Sequence, residues 1–459
     1  SSVVPDLSSP RTMRVALLCT GALAAYPPAQ GCDAPMDGWC SASFSCNQAM
    51  EKAGCKKELY ARYDVSRGGS QKQWRCYSAD ALTADHSAFN GDSTCYCSEP
   101  TALPQVLSCC KSPEATGCSA PGVEVFPFNS PDVYEYRIPV ILNYKDTIMA
   151  FAEARLLGGG DAGPKFLGMR RSKDNGATWD TVQSIYRDSS NATNYDGLNL
   201  GAAVVVGDKV IVHVVVGSHS LKVAPAFVLV SGDGGDTWDG PNYITKSLVA
   251  GGINMFAGGP GSGFVLPSGR VVVTGWYNWC CGQKANSSDT GSAVLLSDDH
   301  GATWRVGGKV PKQAAGQPNE CQAAALPDGT IVLNMRDAAG GGHRLLATST
   351  DGGETFSAAS KIDDLIDPTC QGSTIAVGTT LFTSNAYSRA GRHNGTLSRS
   401  ADRGQSWQQV SVINAGDFVY SGLVDINDTH VGVIYETYSF GRLGIVYQAV
   451  SKRETTVLV

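Results

Sequence analysis

The chain has no excess of positive charge: its 36 Lys and Arg stand against 42 Asp and Glu, for a formal net charge of −6. No basic block stands out, which removes the usual grounds for a nucleic acid or an anionic membrane as partner. Charge of either sign is sparse, at 17% of residues. Long apolar runs are missing as well. The stretch after Met13 and Arg14, Val15-Ala16-Leu17-Leu18-Cys19-Thr20-Gly21-Ala22-Leu23-Ala24-Ala25, is too short to cross a bilayer. Nothing later in the chain is longer and equally apolar, so no transmembrane segment is expected. Paired CxxC spacings are absent from the cysteine-rich region, and only His86 lies near it, which argues against a zinc module.

What is present points elsewhere. One positive charge, a short apolar run and small residues from Met13 to Ala25 are the pattern of a secretory signal peptide. Residues 1–25 are therefore expected to be a leader, of which 1–12 precede its start, and the protein to be secreted or lumenal. A buried N-terminal strand is the rival reading of the same residues. Cysteine usage agrees with export. Ten cysteines, Cys32, Cys40, Cys46, Cys55, Cys76, Cys95, Cys97, Cys109, Cys110 and Cys118, lie within a short span. Such density predicts a disulfide-stabilised module over 26–120. Its connectivity is not readable, and glycan or matrix binding or protection of its neighbour are the roles open to it. Ser119-Ala120-Pro121-Gly122 reads as a linker.

Beyond it, Gly (53 in the chain) and β-branched runs take over. Val210-Ile211-Val212-His213-Val214-Val215-Val216 is one such run, and Gly or Asp-Gly turns separate it from the next. A short motif then repeats. Ser172-Lys173-Asp174-Asn175-Gly176-Ala177-Thr178-Trp179 recurs from Ser231 to Trp238, Ser297 to Trp304, Ser349 to Phe356 and Ser400 to Trp407. The Asp side chain can accept backbone N–H groups in a tight turn, and Gly supplies a positive φ. Each copy predicts a hairpin connection with its aromatic ring packed beneath. Starts lie 59, 66, 52 and 51 residues apart, which suits four-stranded blades. The fold expected is all-β: a six-bladed β-propeller over 125–459, one blade lacking a copy, preceded by the disulfide-rich module. Five spaced aspartates cannot converge on one site, so a metal or catalytic role for them is set aside.

Propellers place function on one face, so charged residues outside the repeated turns matter most. Tyr136-Arg137-Ile138-Pro139 puts an Arg in an apolar strand, where burial is costly without an anionic partner. Glu153 and Arg155 precede a Gly-rich loop containing Asp161. Later come Glu320 in Asn319-Glu320-Cys321-Gln322, Arg336 in Asn334-Met335-Arg336-Asp337, and Arg392 in Gly391-Arg392-His393-Asn394. Tyr420 stands in Val419-Tyr420-Ser421-Gly422-Leu423, and Glu436 follows Tyr435.

The repeated Asp turn together with Tyr-Arg-Ile-Pro resembles the exo-α-sialidases (neuraminidases) of bacterial and animal type, over about residue 130 to the C-terminus. By that resemblance Arg137, Arg336 and Arg392 form an arginine triad for the substrate carboxylate. Asp161 is the acid/base, Glu320 and Tyr420 the base and nucleophile, Glu436 the carboxylate holding Arg137, and Arg155 a further pocket arginine. The resemblance implies sialylated glycans as partners (sialoglycoproteins, gangliosides, oligosaccharides), with no metal and no cofactor. A trans-sialidase, or a sialic-acid-binding lectin without turnover, are the alternatives on the same scaffold.

Bland rivals accompany each assignment. Arg137 with Glu436 could be a purely structural pair, and Arg336 could pair with Asp337. Arg389 competes with Arg392, Asp146 and Asp196 with Asp161, and Tyr435 and Tyr438 with Tyr420. Glu320 could lie on the surface. Met255, Phe256 and Trp276 fit either a pocket wall or the core. Cys280 and Cys281 could bond each other or reach Cys321 or Cys370. Asn191, Asn286, Asn394 and Asn427 stand in glycosylation sequons. Gly258-Gly259-Pro260-Gly261-Ser262-Gly263 lacks the Lys of a phosphate loop.

Overall fold

The computed structural model describes residues 122–128, 130–187, 197–218, 221, 223–277, 290–311, 316–439 and 442–453, and four strands nearer the N-terminus. Two compact units emerge: Ser1–Ala115 with Tyr438–Arg442, and Thr116–Thr437 with Leu443–Val459. In the first unit, strands Trp39–Cys40, Leu59–Asp64, Gln73–Ser78 and Thr94–Tyr96 form an antiparallel sheet in the order first, third, second, fourth. The side chains of the ten clustered cysteines and the expected leader lie outside the described residues.

The second unit is a six-bladed propeller. Blade 1 comprises Glu135–Tyr144, Thr147–Arg155, Lys165–Ser172 and Gln183–Arg187. Blade 2 comprises Leu198–Val206, Lys209–Val216, Ala226–Ser231 and Asp239–Tyr243. Blade 3 has a broken first strand, Phe256–Gly258 and Phe264–Val265, then Val271–Tyr277, Gly291–Ser297 and Arg305–Lys309. Blade 4 follows with Pro318–Ala325, Ile331–Asp337, His343–Ser349 and Ser360–Ile366, and blade 5 with Ser373–Val377, Thr380–Ala386, His393–Ser400 and Gln408–Asp417.

Blade 6 is built differently. Ser421–Asp425, His430–Ser439 and Arg442–Ser451 are completed by Val123–Phe126, from the other end of the unit. The repeated turns join third to fourth strands. In blade 6 those two strands are not consecutive in the chain, so there is no turn to carry a sixth copy. The six-residue helix Thr245–Ala250 connects blades 2 and 3. No helix among the described residues is long and apolar enough to cross a membrane.

The core is a set of seams between blades. Because alternate residues of a strand point to opposite faces, a strand between two seams must be apolar throughout. Val210, Val212 and Val214 face the seam of blades 1 and 2, while Ile211 faces that of blades 2 and 3. Val271 and Val273 enter the latter seam, and Val272 the next. This is why the runs of β-branched residues are continuous.

The five turns share one bonding scheme. At the first, Asp174 Oδ1 accepts from the Thr178 amide at 2.8 Å and Oδ2 from its hydroxyl at 2.5 Å. The Gly176 amide donates to Ser172 Oγ at 2.8 Å, and Trp179 Nε1 donates to the Gly176 carbonyl at 3.1 Å. The same bonds recur at Asp233, Asp299 and Asp402, and at Asp351 without the indole bond, since Phe356 replaces Trp. Bonds from the Thr hydroxyl and amide hold the Asp174, Asp233 and Asp299 carboxyls down to about 2. At Asp351 burial opposes the same bonds, which still bring it to about 2; at Asp402 burial again opposes, and bonds from the Ser406 hydroxyl and amide leave the carboxyl lowered.

A depressed carboxylate contributes stability that is complete above its unfolded value near 4 and is lost as pH falls toward the folded value. The melting temperature should therefore drop between about pH 4 and pH 2. Asp299→Ala should lower stability at neutral pH by about 1 kcal/mol, roughly 2 °C, and flatten that acid slope. Thermal melts across pH check both, and an unchanged slope would refute the assignment.

Candidate active site

Blades 1, 4, 5 and 6 bring the predicted residues to one end of the propeller. Arg137 enters at the start of blade 1, where the strand register slips between Arg137 and Val140. Ile138 sits there at φ 61°, a strained conformation for a β-branched residue. The bulge presents the Ile138 amide to Glu436 Oε1 at 2.6 Å. Arg137 binds the same carboxylate in a fork, Nε to Oε1 at 2.8 Å and Nη2 to Oε2 at 3.1 Å. Burial works against the Arg137 charge, but Glu436 outweighs it and raises the guanidinium pKa. Glu436 Oε2 also accepts from the Tyr420 amide at 3.3 Å.

Tyr420 is the centre of the arrangement. Its hydroxyl donates to Glu320 Oε1 at 2.5 Å. Arg336 Nη1 donates to Glu320 Oε2 at 2.6 Å and to the Tyr420 oxygen at 3.3 Å. Arg336 Nε is buried without a partner. The Arg137 and Arg392 guanidinium carbons lie 5.4 and 5.6 Å from the Tyr420 ring centre, within cation–π range. Three guanidiniums thus surround one phenol. Burial, reinforced by the Glu320 charge, raises the Tyr420 pKa well above its ordinary value. The phenol is neutral at rest.

Asp161 belongs to a second group. Its carboxylate accepts from Arg155 Nη2 at 2.8 Å and is 56% exposed, while Arg155 is 1% exposed. Arg155 also binds Glu153 and the Gly159 carbonyl. It is committed to the loop and its neighbour, unlike the three arginines around Tyr420. Burial pushes the Glu153 carboxyl up, yet Lys165 and Arg155 outweigh it and leave the pKa lowered.

Several rivals have other partners. Asp337 caps the amides of Gln317, Ala339 and Gly341, while Arg336 turns to Glu320. Arg389 bonds His343 at 3.1 Å. Tyr435 accepts from Gln448 and stacks on Phe418 at 4.8 Å. Tyr438 is exposed. Asp146 lies in the exposed turn at the far end of the blade 1 hairpin, and Asp196 lies outside the described residues. Met255 and Phe256 are fully buried, with Trp276 packed against Met255. Asn394 Nδ2 donates to the Tyr387 carbonyl and Asn427 Oδ1 caps Thr429 and His430; Asn191 and Asn286 lie outside the described residues.

One expectation is corrected. Cys321 and Cys370 are free thiols, so neither bonds Cys280 or Cys281, which lie outside the described residues. Their sulfurs face the carbonyls of Gly275 and Val419, each at 3.2 Å. Sequence reading also missed Lys165 and Gln371. Gln371 accepts from the Ser421 amide and donates to the Ser421 carbonyl, both at 2.9 Å, and so fixes the residue after Tyr420. A polar side chain between Cys370 and Gly372 gives no signal of that role.

The BNR repeat-like domain model matches residues 136–433. A sialidase of Micromonospora viridifaciens is 30% identical over 338 residues, 66% of this chain and 50% of that protein. Human Sialidase-4 is 35% identical over 161 residues, 32% of each chain. Among solved structures, the Hadza microbial sialidase Hz136 superposes with a TM-score of 0.63 at 24% identity, covering 72% of this chain and 68% of that one. The chain belongs to the BNR repeat-like family and is similar to sialidases of bacterial and animal origin. It spans half the length of the Micromonospora relative and a third of the human one.

Burial pushes both free thiols up to about 12. At pH 8 neither Cys321 nor Cys370 should react with a thiol reagent in the native protein, and both should react once it is unfolded. Peptide mapping by mass spectrometry checks this; native labelling at either position would contradict it.

Proposed function

We propose that the protein is a secreted or lumenal retaining exo-α-sialidase. It hydrolyses terminal α-linked sialic acids from glycoproteins, glycolipids or oligosaccharides. The observation that carries the reading is the 2.5 Å contact of Tyr420 with Glu320, ringed by Arg137, Arg336 and Arg392.

Sialic acid bears a carboxylate on its anomeric carbon. Forked guanidinium bonds suit that group, at about 1.5–3 kcal/mol each. A carboxylate nucleophile would be repelled by it, and a neutral Tyr is not; the Tyr nucleophile is a known property of sialidases as a class. Tyr420 oxygen attacks the anomeric carbon as its proton passes to Glu320, and Asp161 protonates the departing glycosidic oxygen. Water then attacks the anomeric carbon and gives its proton to Asp161, while Glu320 returns the proton to the leaving Tyr420 oxygen. Glu436 holds Arg137 throughout, and Arg155 steadies the loop of Asp161. The N-terminal module is an accessory domain, for which binding glycan or matrix and protecting the propeller are the roles open.

A fluorogenic sialoside should be turned over, with free sialic acid the main product even when lactose is added. Sialyl-lactose as the main product would make the protein a transferase, and no turnover by folded protein would refute the reading. Tyr420→Phe should cut kcat at least about 10³-fold with an unchanged melting temperature. Arg392→Ala should lower kcat/KM about 10- to 150-fold, the loss of one charged bond to the carboxylate.

A further inference from the structure

The loop carrying Asp161 is fastened from beneath by a side chain that the proposed chemistry does not use. Lys165 opens the third strand of blade 1 and is 1% exposed. An ammonium group so buried is costly unless acceptors meet it. Two do. Lys165 Nζ donates to the Asp161 carbonyl oxygen at 2.6 Å, and stands 3.1 Å from Glu153 Oε2. The other Glu153 oxygen accepts from the Leu200 amide at 2.9 Å, which ties the carboxylate to blade 2.

Blade 2 reaches the same carbonyl directly. Asn199 Nδ2 lies 3.3 Å from the Asp161 oxygen, and Asn199 Oδ1 accepts from Ser218 at 2.9 Å. Gly197 leaves the room this requires: a Cβ there would meet the Gly163 carbonyl at 2.6 Å and Lys165 Nζ at 3.3 Å. Asp161 is therefore gripped twice, its backbone by Lys165 and Asn199 and its carboxylate by Arg155. The loop needs such a grip. Gly158, Gly159, Gly160 and Gly163 flank Asp161, and glycines leave a chain with the most conformational freedom to lose. A displacement of about 1 Å at a proton donor is enough to slow a reaction.

We infer that Lys165 is a positioning residue for the Asp161 loop, clamping the Asp161 carbonyl so that its carboxyl group stays at the leaving oxygen. This rests on the sialidase reading. Its signature is dependence on the leaving group. A sugar alcohol departs only if protonated, whereas an electron-poor phenol departs without help.

The test compares sialyl-lactose with an electron-poor aryl sialoside in wild type, Lys165→Met and Asn199→Ala. Lys165→Met should lose about 10- to 100-fold in kcat on sialyl-lactose, with KM little changed, and only about threefold on the aryl sialoside. Asn199→Ala should shift the ratio in the same direction by less, and it carries the comparison if Lys165→Met does not fold. Equal losses on both substrates would overturn the inference. Hydrogen exchange gives a reading independent of turnover. Residues 156–164 should exchange faster in either variant while the repeated turns do not, and unchanged exchange in the loop would also overturn the clamp. A wild type inactive on both substrates would sink the sialidase reading alone.

Discussion

Glu436 is fully buried, and an unpaired carboxylate in that position would cost several kcal/mol. Its partners are the Arg137 guanidinium and the Ile138 amide, 299 and 298 residues away, and the amide of Tyr420. One charge thus sets both an arginine of blade 1 and the backbone of the central phenol in blade 6. The strain at Ile138 is intelligible in the same terms, since the bulge that creates it delivers the amide Glu436 needs. Buried ion pairs contribute little net stability, but losing one partner is severe. Here that asymmetry makes the geometry around Tyr420 an all-or-none property.

The two ends of the propeller obey different rules. At one end the repeated turns solve the same local problem five times with the same Ser, Asp and Gly atoms. At the other, Glu436 and Tyr420 are met by residues from distant parts of the chain. Glu320 serves Arg336 and Tyr420, and Glu153 serves Arg155, Lys165 and blade 2. Regularity at one end fixes the strand positions on which the irregular end depends.

This contrast explains what was legible beforehand. The turn motif closes its bonds within eight residues, so Asp174 and its counterparts could be read directly. β-Branched runs disclosed strands, and the structure shows them buried on both faces. Arg137 was visible as a charge in an apolar strand and Glu320 through the family resemblance, and the structure brings both to Tyr420. Lys165 was not, because nothing near it in the chain reveals the approach of Glu153, Asn199 and Gly197. Cys321 and Cys370 were read as bonding candidates from residue type alone, and their distant packing decided otherwise. The missing sixth turn was noticed but not explained, since its cause is the pairing of Val123–Phe126 with the last strand.

That pairing has a consequence for biosynthesis. The ring is closed by a strand made before blade 1, joined to one made after every other blade. Until the segment Arg442–Ser451 has left the ribosome, Val123–Phe126 has no partner and its seam no second wall. Arg137 meets Glu436 and Tyr420 across that same junction. A chain that lacks Arg442–Ser451 therefore leaves the Val123–Phe126 edge unpaired, and the closure that joins the first-made strand of the propeller to this late one must follow the synthesis of every blade between them.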